Sequence, residues 1–128
     1  MKMEQWDVIH SYTRKDAIED GLLIDVSEMA KEAGISFPVA ITASIQSLID
    51  NKPDIEDVEG RTWDVIWMLR CAIVGAITSK KYGEDTVVYQ LILNNPSKAI
   101  PTEISLKAQV HGGDNGEPVI TVMLPEED

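Results

Sequence analysis

The sequence predicts an α+β fold. A helical N-terminal half, with one buried central helix at about residues 61–82, packs on a C-terminal antiparallel sheet of at least three strands. Three observations carry this expectation. Between Arg61 and Gly83 the apolar residues run nearly all round a helical wheel, and only Asp64 and Arg70 are charged between Thr62 and Ile77. From Val87 the period drops to two: Val87, Tyr89, Leu91 and Leu93 alternate with Val88, Gln90 and Ile92. Ile104, Leu106, Ala108 and Val110 then alternate with Glu103, Ser105, Lys107, Gln109 and His111, as in a half-buried strand. Helices followed by strands define the α+β class. The 128 residues fit a single domain, 1–128, long enough to bury roughly two thirds of the unfolded surface.

Taken in order, the chain opens with MKMEQWDVIH, which has no apolar run of the kind a secretory signal needs, so a cytoplasmic location is expected. Thr13 with Asp16 three residues on reads as a capped helix start, and Asp20-Gly21 as its end. Leu22, Leu23 and Ile24 suggest a short strand. Asp25 or Ser27 can cap a second short helix, ended by Gly34. A longer helix is expected from Ser36 to Asp50. Pro38 would lie in its first turn, and Phe37, Ile41, Ile45, Leu48 and Ile49 would form its stripe. A strand over Phe37–Thr42 is the alternative, supported by β-branched residues but not by lasting alternation. Asn51 to Gly60 reads as an acidic loop with Asp54, Glu56, Asp57 and Glu59. It lacks the residue order of a calcium loop, so a solvated connection before a helix N-terminus is the better account.

The central helix is too short and too charged for a membrane span, which needs about 20 apolar residues. On the wheel Trp63, Trp67, Arg70 and Val74 share one sector, and Leu69, Ala72 and Ala76 lie opposite with Val65 nearby. Asp64, Cys71, Gly75 and Thr78 form a third strip of mostly small residues. Lys80 and Lys81 suit the last turn, and Gly83 a C-cap. The turn-rich run from His111 to Pro118 joins two strands, the second being Val119–Leu124. The tail Pro125–Asp128 is expected to fray.

The formal charge is −11. Such a balance disfavours direct nucleic-acid binding and an anionic membrane surface, and it permits a basic protein partner or simple solubility. Cys71 is the single cysteine, so no internal disulfide forms, and within an apolar helix it is expected to be a buried thiol.

Three blocks carry a resemblance: Ser11 to Thr42, Glu59 to Ile73 (EGRTWDVIWMLRCAI), and Gly112 to Asp128. With the strands between, they resemble an uncharacterised family of small proteins encoded by bacteria, their plasmids and their phages. The resemblance implies a type of genome and no mechanism. The chain departs from the family's pattern at His111-Gly-Gly-Asp-Asn-Gly, where relatives tend to have a Cys-Gly-Pro-Gly-Asp-Asp-Gly-like run.

No complete catalytic set stands out. His10 and His111 are the only histidines, and with Asp114 they form the one set that could serve a small enzyme. The plainer reading makes both surface histidines at strand ends. Arg14, beside Tyr12, can grip a carboxylate or phosphate, or simply mark an exposed helix start. Asp64 can pair with Arg61 three residues back, and Arg70 can stack on indole. Both can equally be structural anchors of the helix. The candidate contacts are therefore Tyr12, Arg14, Asp64, Arg70, His111 and Asp114. The leading expectation is a non-catalytic binding protein of a phage or mobile element, without a cofactor or metal, that engages a basic protein or a small molecule. A structural subunit that forms a homodimer is a further alternative.

Overall fold

The computed structural model describes residues 12–78, 85–97 and 100–127. Its first element, α1 (Arg14–Glu19), begins as the sequence indicates. The Thr13 side chain accepts from the Asp16 N–H at 3.0 Å while the Asp16 carboxylate accepts from the Thr13 N–H at 3.2 Å. Gly21, at φ 79°, ends it in a left-handed turn that a side chain would strain. The short strand β1 (Leu23–Asp25) and helix α2 (Ser27–Glu32) follow, and Gly34 closes α2 at φ 92°.

The expected helix from Ser36 does not form. Strand β2 (Val39–Thr42) occupies its first part, and only Ala43–Asp50 is helical, as α3. The reason is position. Val39, Ala40 and Ile41 are fully buried because β2 lies between β1 and the last strand, covered on both faces. Such a strand reads as a continuous apolar run and shows no alternation. Thr42 then accepts from the Ile45 N–H at 3.4 Å and caps α3.

Helix α4 (Val58–Thr78) starts where the Asp57 carboxylate accepts from the Gly60 N–H at 2.6 Å. Strands β3 (Thr86–Leu93), β4 (Thr102–Gly112) and β5 (Pro118–Met123) form the expected antiparallel meander. The sheet is larger than that meander, because β5 also pairs in parallel with β2, and β2 antiparallel with β1. The resulting order is β1-β2-β5-β4-β3, a mixed five-stranded sheet.

Register divides the sheet faces. One carries Ile41, Ile120, Val122, Leu106, Ala108, Tyr89 and Leu91 into the main core with α2, α3 and α4. The other carries Ala40, Thr121, Gln109 and Lys107, and α1 attaches there through Arg14. The tail is not frayed through Glu127. The Glu127 side chain accepts from Thr42 and from the Leu124 N–H, both at 2.8 Å, while its backbone carbonyl accepts from Lys107 at 2.6 Å.

The central helix departs from expectation in one respect. Val65, Ile66 and Leu69 are buried, but Asp64, Trp67, Met68, Cys71, Val74 and Gly75 face out, Trp67 with 41% of its surface exposed. The helix is buried along one side, and the Cys71 thiol is exposed rather than internal. A single layer of strands covers only the side that rests on it, and among the described residues no second layer lies beyond. The expected C-terminal residues Lys80, Lys81 and Gly83 lie outside the described residues, as does His10.

Candidate functional site

Four of the six candidate residues, separated by about a hundred positions in the chain, meet on the sheet face that carries α1. Arg14 does not project into solvent from its helix. Its Nη1 donates to Thr121 Oγ1 at 2.8 Å and its Nη2 to the Ile120 carbonyl at 2.9 Å. The turn Gly113–Glu117 brings Asp114 under the start of α1, where its carboxylate accepts from the backbone N–H groups of Arg14 at 2.8 Å and Lys15 at 3.1 Å. These are two of the unpaired amides that every helix start presents. The turn is compact because Gly116 takes φ 80° and the Glu117 side chain folds over Gly113, where a Cβ would collide with it.

His111 completes the group. Its Nδ1 lies 3.1 Å from the Gly112 carbonyl and its Nε2 lies 2.7 Å from Thr121 Oγ1. A carbonyl only accepts, so Nδ1 carries the proton in the neutral ring and Nε2 accepts from the threonine hydroxyl. Thr121, 6% exposed, thus receives from Arg14 and gives to His111. Tyr12 sits at the rim and donates to Asp20 at 2.5 Å, an interaction that pushes its hydroxyl up to about 12. These residues line a cleft of about 430 Å³. Burial lowers Arg14 from its usual value, opposed by the carboxylates of Asp25, Asp114 and Glu117 around it.

This arrangement is self-satisfied. His111 bonds Gly112 and Thr121, not Asp114, whose carboxylate holds two backbone amides instead. The three acids around Arg14 disfavour an incoming phosphate or carboxylate by like-charge repulsion. Among the described residues no group of three His, Cys, Asp or Glu side chains could hold a metal.

The other two candidates lie on α4. Arg70 places its guanidinium carbon 4.9 Å from the Trp67 ring centroid, and Trp67 stacks on Trp63 at 5.9 Å with 17° between planes. Arg70 also fills the space left by Gly34, where a Cβ would meet its Nε at 3.4 Å. Asp64 is exposed and does not pair with Arg61. It borders a surface groove of about 480 Å³ with Trp67, Met68, Gln90, Ile92 and Glu103. That groove runs along the free edge of β3, which pairs only with β4 among the described residues. Val88 and Ile92, 60% and 65% exposed, lie on the outward side of the same strand.

The buried charge that sequence reasoning missed is Arg61, 3% exposed. All five of its N–H donors are used. Nε binds the Ile49 carbonyl at 2.9 Å. Nη1 reaches Glu56 and the Asn94 carbonyl, each at 3.0 Å, and Nη2 reaches the carbonyls of Leu48 at 2.8 Å and Asn51 at 3.3 Å. The guanidinium ties the C-terminus of α3, the acidic loop and the end of β3 to the start of α4. A signal was present: at 100° per residue Arg61 falls about 40° from Val65, inside the buried arc.

The fold and its exposed face define an α+β domain with a helix-and-edge-strand surface and a self-satisfied polar cleft behind it. The chain belongs to the DUF6573 family, a family of unknown function whose model matches residues 1–128. No curated protein and no solved structure matches it.

Proposed function

We propose that this protein is a non-catalytic binding protein that works through the face formed by α4 and the edge of β3. One observation carries this reading: the solvent side of a 21-residue helix presents Trp67, Met68, Cys71 and Val74 where charged residues would ordinarily stand. Exposed apolar groups that adjoin one another mark contact surfaces, whereas scattered ones do not. Tryptophan and arginine, stacked here as Trp63, Trp67 and Arg70, are the residue types that dominate binding energies at such surfaces. The resemblance to plasmid- and phage-encoded bacterial proteins supports a role on a mobile element, in the cytoplasm, as a sequestering or accessory factor. The charge of −11 supports long-range attraction of a basic partner toward the acidic loop at Asp54, Glu56, Asp57 and Glu59. Capture from a bacterial host on immobilised full-length protein tests this. The expected result is a protein retained by the wild type and lost with Trp67→Ser. Equal recovery by the two forms counts against it.

A second reading rests on the cleft at Arg14, Thr121 and His111, where a small polar ligand would replace the internal bonds to Thr121. Native mass spectrometry of protein purified from the host, compared with Arg14→Lys and His111→Ala, tests it. A bound small molecule present only in the wild type would favour this cleft over the helix face.

A further inference from the structure

We propose that the occupant of the α4 and β3 face is a second copy of this chain, joined through antiparallel pairing of the two β3 edges. This rests on the reading of that face as a binding surface and names what binds there. Strand β3 reads TVVYQLIL from Thr86 to Leu93 and contains no charge, no proline and no glycine. Edge strands that stay single are blunted by lysine, proline, a bulge or inward charge. β3 has none of these devices, and its eight-residue ladder to β4 runs in continuous register from Thr86↔Gln109 to Leu93↔Thr102, without a bulge. Its outer row of N–H and C=O groups has no strand beside it among the described residues.

The local absence of charge on β3 narrows the choice of partner. The chain carries 22 acidic against 11 basic residues, yet the edge strand is neutral and only Asp64 and Glu103 border its groove. A cationic segment is drawn to the acidic loop rather than here. What fits an uncharged, unbroken strand edge is another one, and the chain supplies it. Pairing about a two-fold axis perpendicular to the sheet sets β3 beside β3 and continues the five strands into ten. The two α4 helices rest on their own edge strands, so the same axis brings them side by side on one face of the joined sheet. Trp67 and Met68 of each copy then meet the other helix, while, with the axis at Gln90, Val88 of each copy meets Ile92 of the other on the opposite face. All four side chains are well exposed in the single copy, Met68 by 37%. The strand edge, Gln90 and Cys71 carry the buried area toward the ~800 Å² per partner of a stable interface.

Sedimentation equilibrium and light scattering of the full chain, from a few to a few hundred micromolar, test the proposal. The expected result is a concentration-dependent rise from 14.2 kDa to twice that mass. Higher ionic strength should favour the dimer, because salt screens the repulsion between two acidic chains. Val88→Lys with Ile92→Lys, both at exposed positions, should leave a folded monomer across the same range. Hydrogen exchange of the β3 amides should slow with concentration in the wild type and not in the double variant. A wild type that stays at 14.2 kDa overturns self-pairing, as does a dimer unaffected by the two lysines. If that monomer still captures a host protein through Trp67, the binding surface stands and only the identity of its occupant is wrong.

Discussion

Arg61 shows how one side chain can hold several elements in place. It spends five donors on three carbonyls at the end of α3, one carbonyl after β3 and one carboxylate. Removing it leaves buried acceptors without partners, a loss expected to cost about 3–5 kcal/mol. Arg61→Met should therefore lower the unfolding free energy by that amount in urea titrations. Arg61→Lys should recover little, because an ammonium cannot reproduce a planar fork. Asp114 is a smaller case. It satisfies two amides at the start of α1 from the β4–β5 turn, and Asp114→Ala should cost about 1 kcal/mol. Asp114→Asn, which keeps an acceptor oxygen, should cost less in the same titration.

The titrating groups set the pH window of stability. Glu56 is held below its usual 4.5 by the hydrogen bonds of Asn94 first and Arg61 second. Partial burial alone would raise Glu127, but bonds from Ser44, the Leu124 amide and Thr42, with the charge of Lys107, hold it below 4.5. A carboxyl depressed by folding contributes stability that is present above 4.5 and lost as pH falls through its folded value. Tyr12 is raised by its bond to Asp20, and Tyr89 by burial, so their contribution is lost as pH rises above 10. Thermal unfolding should show a plateau between these limits and a fall on either side. Glu127→Gln should flatten the acid limb, and an acid limb of unchanged slope in that variant would count against its role.

At the scale of elements, legibility followed burial pattern. The capping box at Thr13 and Asp16, the glycine stops at Gly21 and Gly34, and the alternating strands β3 and β4 were readable because each has a local physical cause. Strand β2 was not. Its neighbours β1 and β5 come from opposite ends of the described chain and pair with both its edges, and both its faces are buried, so Val39–Ile41 had no polar side to give a period of two. The parallel β2–β5 pairing was hidden for the same reason, since nothing local in either strand specifies a partner so distant in sequence. The stack of Trp63, Trp67 and Arg70 was legible from helical spacing, but its exposure was not. A wheel that is apolar nearly all round looks like a core helix, and only the number of layers in the fold decides which side stays wet. Among the candidate contacts, Tyr12, Arg14, His111 and Asp114 were singled out individually. Their meeting at Thr121 and the start of α1 depends on the β4–β5 turn folding back against α1.

For the molecule as a whole, two faces differ in kind. The polar cleft around Thr121 has spent its hydrogen bonds on the fold, whereas the helix-and-edge face leaves aromatic surface exposed and, among the described residues, a strand edge without a neighbouring strand. The proposed binding is therefore placed on the second. The most direct measurement separates stability from association in one variant. Trp67→Ser removes a half-exposed ring, and if that ring serves binding, the melting temperature should change by no more than a few degrees while association is lost. A melting temperature that collapses, or association that survives the substitution unchanged, would contradict the account.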